Sequence, residues 1–512
     1  MTRDFSVGDK VRVEPGVELD GMDWGGLEGT VTTTWVKCEV DPHCCCAELG
    51  TEGPIRVDFV ASNGKNAGRL GPVAMYSGAV VYGAKNQSRC LAAVCGDHEE
   101  GHRFLVGAAG LREQPHNELL LLEYFEDTNN VKEACTYRHP GEIWHISPSP
   151  RDAALCFTSS TRKGTDPACT LWRLPLPSSS AFSPSSSPTE EGDQSASQSS
   201  VHRSPDHQAF ATSTFFPGGG GGIRGDSGKT HNNHQQHNQS TPMEAIISLP
   251  TITTTSSSGG GRVRCVLWSL GEEAGAQEQV LAVDEGKATL YSLSTSSTSS
   301  DNSAQEISSF ILGGPEKGEV QTAAWDPHNL YKVATVQGTS VTHWDLRTGK
   351  PSGQASSSLP QIAELAHRHG ARDVDFNRSK PYYFVTGGED RLVKFWDSRK
   401  MTHGPVKQLA GHTHWVTTVK YNPCHDQLLL SGGTDSMVNL WRVSSISSAP
   451  LLDLEDGHDA PDLRVKKFED HEESVYSVAW SSQDPFVFSS LSYDGRVAIN
   501  AVPPSEKYKI LL

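Results

Sequence analysis

Four residue types recur at fixed distances along the second half of the chain. Counting from His412, Tyr421 lies 9 residues on, Ser431 19, Asp435 23 and Trp441 29. The same offsets from His367 reach Phe376, Thr386, Asp390 and Trp396. From His471 they reach Trp480, Ser490, Asp494 and Asn500, with Asn in the Trp place. A repeat of this length constrains the fold more than any other feature. One such unit cannot bury its own apolar face, so the units must stack or close into a ring.

Within each unit the residues read as strands separated by tight turns. "VTTVKY", "QLLLSGG" and "MVNLW" follow one another, and "TDS", "EDR" and "YDG" are turn sequences. An Asp in such a turn accepts local backbone N–H bonds. His, Ser/Thr, Asp and Trp at these offsets form a buried hydrogen-bonded chain that ties a loop to three strands. A catalytic His/Asp pair would occur once; here the set recurs, so the spacing predicts a structural role.

Weaker copies lie upstream. Trp325 and Trp344 are 19 residues apart in a copy that lacks the Asp. Residues 262–293, with Trp268, fit another copy, residues 141–174 a further one, and 104–124 two strands of the first. The count comes to seven units.

The GH…D…WD pattern resembles the WD-repeat family, whose units are four-stranded blades of a β-propeller. "HPGEIWHISPSP", "RDVDFNRSKPYYFVTGGEDRLVKFWDSR", "HTHWVTTVKYNPCHDQLLLSGGTDS", "HEESVYSVAWSSQDPFVFSSLSYDGRVAIN" and the closing "KYKILL" resemble more closely its EARP and GARP complex-interacting members. The resemblance implies an all-β, seven-bladed WD-repeat propeller. It implies a non-enzymatic scaffold for multisubunit tethering complexes (EARP and GARP), serving endosomal recycling and retrograde vesicle traffic. It also implies a cytoplasmic protein, peripheral at the trans-Golgi network and endosomes. Blades 1–2 are expected over 76–175 and blades 3–7 over 263–512. Ring closure is expected to use "GAVVYGA" (78–84) rather than "KYKILL".

Two segments depart from the pattern. Residues 1–70 read as a small Src-homology-type β-barrel, with "FSVGDKVRV", "LEGTVTTTWV" and "PIRVDFV" as strands and Trp24 and Trp35 in its core, a groove lining being the other reading of the two rings. Residues 176–262 are rich in Ser, Gly, Pro and His, too poor in apolar surface to offset chain entropy. They read as a disordered excursion between blades 2 and 3. "GGGGGIRGDSGKT" inside it is no phosphate loop, since Ile223 stands where Gly is needed. His231, His234 and His237 belong to the same polar tract.

Composition narrows the function. With 44 basic and 61 acidic residues the net charge is −17, which argues against nucleic acid and anionic membranes as partners of the whole surface. No apolar run is long enough to span a bilayer, and the first residues have no secretory h-region, so no direct membrane insertion is expected. The 11 Cys suit a reducing compartment. "CEVDPHCCC", Cys38 to Cys46, reads as reduced thiols and not a zinc site, because three adjacent Cys do not converge on one ion. No cofactor or metal is expected. Cys424 and His425 are adjacent in a turn and project apart.

For a scaffold, the residues that precede the inner-strand alternation approach the ring entrance. Trp415 and Tyr476 are partner-binding candidates there, as aromatic rims supply hot spots. Glu142, Trp144, Arg372 and Asp373 are candidates from other blades. An alternative reading is a substrate receptor of a cullin-RING ubiquitin ligase. "WDLR" (344–347) and "WDSR" (396–399) match its W-D-x-R signature, with Arg347 and Arg399 as adaptor contacts.

Overall fold

Alternating apolar and small polar residues over six-residue runs, each ended by an Asp- or Gly-bearing turn, build strands too short to stand alone. In the computed structural model they pair into seven antiparallel blades. Side chains are described for residues 79–96, 101–110, 116–161, 167–177, 241–250, 262–269, 278–295, 302–312, 318–352, 362–451 and 461–511; before 79 only backbone strands are described.

Blade 1 runs Ser88–Ala93, His102–Ala108, Asn117–Phe125 and Asn130–His139, so that 104–124 supplies its middle two strands. Blade 2 runs Glu142–Pro148, Leu155–Thr161, Ala168–Arg173 and Glu244–Leu249. Its outer strand corrects the expected boundary. Leu171 pairs with Ile247 across the long excursion, which therefore leaves blade 2 before its last strand instead of lying between blades 2 and 3. Pairing of Ile247 and Leu249 against the Cys169–Leu171 edge buries both side chains, a gain the local Ser/Gly composition concealed.

Blade 3 runs Cys265–Trp268, Glu278–Val283, Lys287–Ser294 and Ser303–Ile311. Blade 4 runs Val320–Trp325, Lys332–Gln337 and Ser340–Asp345, its outer edge shared by Lys350–Pro351 and Ile362–Ala363. Blade 5 runs Ala371–Phe376, Tyr383–Gly388, Leu392–Asp397 and Lys407–Ala410. Blade 6 runs Val416–Tyr421, Leu428–Gly433, Val438–Arg442 and Leu463–Phe468. Blade 7 takes Val475–Trp480, Val487–Ser492 and Arg496–Ala501 from the C-terminal end and Val80–Gly83 from the other. Val81 pairs with Ala498, so the expected strand closes the ring. Residues 507–511 of "KYKILL" instead belong to a helix, Pro504–Leu511, anchored by a buried ion pair of Glu506 with Arg442 at 2.7 Å.

The core is divided among the joints. Each apolar cluster draws on two adjacent blades: Phe157 and Leu171 with Trp268, Val280 and Tyr291, for instance, or Val385 and Phe395 with Val419 and Leu429. The closing joint sets Phe104, Val106 and Leu122 of blade 1 against Val487, Leu491 and Val497 of blade 7. Each fully buried side chain of this kind contributes roughly 1.5–3 kcal/mol. The ring is thus held at every joint, and the closure is apolar as well as hydrogen-bonded.

Among backbone strands before residue 79, Lys10–Arg12, Glu28–Thr34, Ile55–Val60 and Asn66–Val73 pair in that order, beside a hairpin of Glu18–Leu19 and Met22–Asp23. The readings of Trp24, Trp35, Cys38–Cys46, Ile223 and His231–His237 fall outside the described residues.

Candidate functional site

The repeated His, Ser/Thr, Asp and Trp converge in blades 5 and 6. His367 Nδ1 lies 2.7 Å from Asp390 Oδ1, and its Nε2 lies 2.7 Å from Thr386 Oγ1. Trp396 donates its indole N–H to the same hydroxyl at 2.8 Å. An ionised carboxylate only accepts, so Nδ1 carries the proton and Nε2 accepts from Thr386. The proton order is fixed along the whole chain of bonds. His412, Asp435, Ser431 and Trp441 repeat it at 3.0, 2.7 and 2.8 Å. Asp435 also accepts from the backbone N–H of Thr413 at 2.8 Å and of Met437 at 3.3 Å. The residue after each Asp, Arg391 or Ser436, takes a left-handed φ of 68° or 63°, held by that turn. Burial alone would raise the carboxyls of Asp390 and Asp435. The hydrogen bond and charge of His, joined by Lys394 at Asp390 and by the Thr413 and Met437 N–H groups at Asp435, together outweigh it and hold both below the ordinary range.

Blade 7 differs. His471 Nε2 contacts Ser490 Oγ at 2.7 Å, but Nδ1 meets Ser492 Oγ at 2.8 Å, and Ser492 donates onward to Asp494 at 2.6 Å. The direct His–Asp bond is replaced by a serine relay, and Asn500 turns away to Asp470. The unit read over 141–174 also holds these bonds, with a His that lies just before it and was not singled out in the sequence. His139 Nε2 meets Thr158 Oγ1 at 2.9 Å, and Trp172 donates to that hydroxyl at 2.8 Å. The signal was the 19-residue step from His139 to Thr158; the longer turn before Trp172 hid the rest. These groups sit inside the blades, each bonded to the next. Their chemistry is to lock loops to strands.

A second set of side chains gathers at one end of the inner strands. Six of these strands carry a β-bulge at the same register, at Arg89, Trp144, Gln321, Arg372, Thr417 and Tyr476. A bulge re-aims one side chain out of the ladder. In blade 3, Arg264 precedes the inner strand and donates its N–H to Val283 O. The bulges thus mark a mouth around the ring axis.

Of the sequence candidates, Trp415 is 39% exposed and Tyr476 37%, enough for a partner to reach both. Arg372 lies 5.2 Å from the Trp415 ring and pairs with Glu389. Trp144 is half-buried and bonds Thr161, and Glu142 begins the same strand. Asp373 requires a correction. The bulge that sends Arg372 to the mouth turns Asp373 into blade 6, where it accepts from Thr418 Oγ1 at 3.0 Å, Val419 N at 2.9 Å and Lys420 Nζ at 3.1 Å. It is 8% exposed and ties two blades together. The Lys420 side chain keeps about a third of its surface exposed, and burial followed by Lys420 pushes His145 down to about 4.

The proposed adaptor arginines also find local work. Arg347 grips Asp345 through Nε and Nη2 at 3.0 and 2.7 Å, and Arg399 grips Asp397 at 2.8 and 2.7 Å. Tyr331 and Tyr382 flank the two guanidiniums. Both W-D-x-R runs are accounted for as turn clamps. Among the described residues no group of three His, Cys, Asp or Glu side chains is placed to hold a metal, and no helix is long and apolar enough to cross a membrane.

The family profile described as EIPR1 beta-propeller matches residues 236–441, and that of the WD domain, G-beta repeat matches 463–499. The chain is 32% identical over 455 residues to "EARP and GARP complex-interacting protein 1" of Homo sapiens, and likewise to that of Macaca fascicularis; each match covers 85% of this chain and 98% of the relative. It is 29% identical over 430 residues to "WD repeat-containing protein DWA2" of Arabidopsis thaliana, covering 84% and 97%.

Proposed function

We propose that this chain, which belongs to the family of EARP and GARP complex-interacting β-propellers, is a non-enzymatic scaffold that binds subunits of those tethering complexes. It serves endosomal recycling and retrograde vesicle traffic from the cytoplasmic face of the trans-Golgi network and endosomes. The observation that carries this reading is the extent of the likeness: relatives named for that interaction match over 98% of their own length. The repeated His/Asp pairs support it, because their bonds are spent inside the blades and leave no free nucleophile–base pair among them. The mouth is the surface the scaffold offers, with Trp415 and Tyr476 as its accessible rings. The segment 1–70, read as a small barrel, is an appendage to the propeller.

The test is affinity purification of the full chain from cells, with subunits identified by mass spectrometry, beside a chain beginning at residue 76. Recovery of tethering-complex subunits by both supports the propeller as the binding body. Recovery by neither removes the reading.

A further inference from the structure

Three arginines and three aromatic rings meet in one sector of the mouth, where blades 7, 1, 2 and 3 adjoin. The Arg89 guanidinium lies 4.7 Å from the Trp144 ring centroid, 5.1 Å from Tyr493 and 5.7 Å from Tyr476. Arg262 lies 4.2 Å from the same indole. Arg264 is paired, with Glu285 at 3.1 Å and with Glu319. Arg89 and Arg262 are not: among the described residues neither reaches a carboxylate, and the Nε atoms of all three arginines are buried without an acceptor. Glu142, two residues before Trp144, pairs with none of them. Burial, and then the charge of Arg264, holds the Arg262 guanidinium below its ordinary range.

Such an arrangement is unexpected in a chain with 61 acidic residues, where an internal acid is easy to supply. Only Arg264 is met by contacting carboxylates, which leaves the guanidiniums of Arg89 and Arg262 without an acid in contact. A guanidinium stacked on a ring is held flat while its outer N–H edge stays free, which suits bidentate binding of a carboxylate. Nucleic acid would need a cationic track along its backbone, and this patch is confined to one mouth on a molecule of net charge −17. An anionic bilayer would need a flat exposed basic face, whereas these side chains are partly sunk among rings. A short protein segment fits both the charge and the aromatic walls.

We propose that this sector docks an extended acidic segment of a partner protein, its carboxylates taken by Arg89 and Arg262 and the bodies of its side chains by Trp144, Tyr476 and Tyr493. This deepens the scaffold reading and rests on it for the partner's identity, but the site itself can be tested alone.

The probe is a fluorescein-labelled hexaglutamate peptide, titrated with the full-length protein and followed by anisotropy at low and high salt. Wild type should bind it, more weakly as salt rises. Arg89→Gln with Arg262→Gln should weaken binding by about tenfold or more with the melting temperature unchanged. Arg89→Lys with Arg262→Lys should fall between, and it carries the comparison if the glutamine variant melts early. No binding by wild type, or equal binding by the variants, overturns the proposal. So does a phosphoserine peptide or a phosphatidylserine vesicle that binds through these arginines where hexaglutamate does not. Failure of wild type to capture tethering complexes would count against the scaffold reading alone, because the hexaglutamate titration does not depend on it.

Discussion

A Cβ on Gly388 would lie 2.1 Å from Nδ1 of His367, so the His367–Asp390 bond exists because residue 388 has no side chain. Gly433 stands in the same relation to His412, with its would-be Cβ 2.7 Å from Nδ1 and 2.6 Å from Asp435 Oδ1. Both glycines lie 21 residues after their His. Blade 7 has Ser492 at that place, and there the histidine reaches Asp494 through the Ser492 hydroxyl. One position thus decides between a direct and a relayed bond. Gly388→Ala and Gly433→Ala are expected to cost about 1–3 kcal/mol each through overpacking. Thermal unfolding of each variant checks this; melting temperatures equal to wild type would contradict it.

Acid should loosen the ring before it titrates Asp390 and Asp435. Burial pushes His139 and His471 down to about 4, and burial with Lys420 does the same to His145, from an ordinary 6.5. Between those values the unfolded chain binds protons that the folded chain refuses, so stability is full above 6.5 and falls as pH drops toward 4. By about pH 5 each such histidine costs roughly 2 kcal/mol. Asp390, held below its ordinary value, adds a further loss only as pH falls below 3.8. Melting temperature measured from neutral to about pH 5 should fall steadily; a flat profile would show that these imidazoles are not buried neutral.

Neighbouring residues at the blade 5 bulge should behave in opposite ways. Asp373→Ala strands the Thr418 hydroxyl and the Val419 N–H and leaves Lys420 without its closest carboxylate, for an expected loss of about 1–3 kcal/mol. Arg372→Ala removes only a rim contact and should stay within about 0.5 kcal/mol of wild type. Urea unfolding of the pair checks this, and equal midpoints would contradict the division of labour.

What could be read from the sequence follows from what repeats. The offsets to Thr386, Ser431 and Ser490, to the aspartates and to the tryptophans recur, so the blade and its internal bonds were visible before any coordinates. The meaning of position 21 was not, because a glycine's role is set by the side chain it faces. The strand Glu244–Leu249 was hidden because its partner lies on the far side of the long excursion, and pairing at that distance leaves no local period. Asp373 was misplaced because a bulge shifts the alternation by one residue, and bulges carry no fixed sequence mark. The arginine and aromatic sector went unread for a similar reason: Arg89, Trp144, Arg262 and Tyr493 come from four blades and meet only when the ring closes.

The central claim is that the repeated His/Asp pairs hold the propeller together while the mouth binds the partner. Melting temperature and tethering-complex capture, measured together on Asp435→Ala and Trp415→Ala, test it most directly. Asp435→Ala deprives His412, Thr413 N–H and Met437 N–H of their acceptor and should lose about 2 kcal/mol, with Asp435→Asn losing less. Trp415→Ala should melt near wild type yet capture the complex roughly tenfold less well. An Asp435→Ala variant that keeps its melting temperature and loses capture would contradict the account.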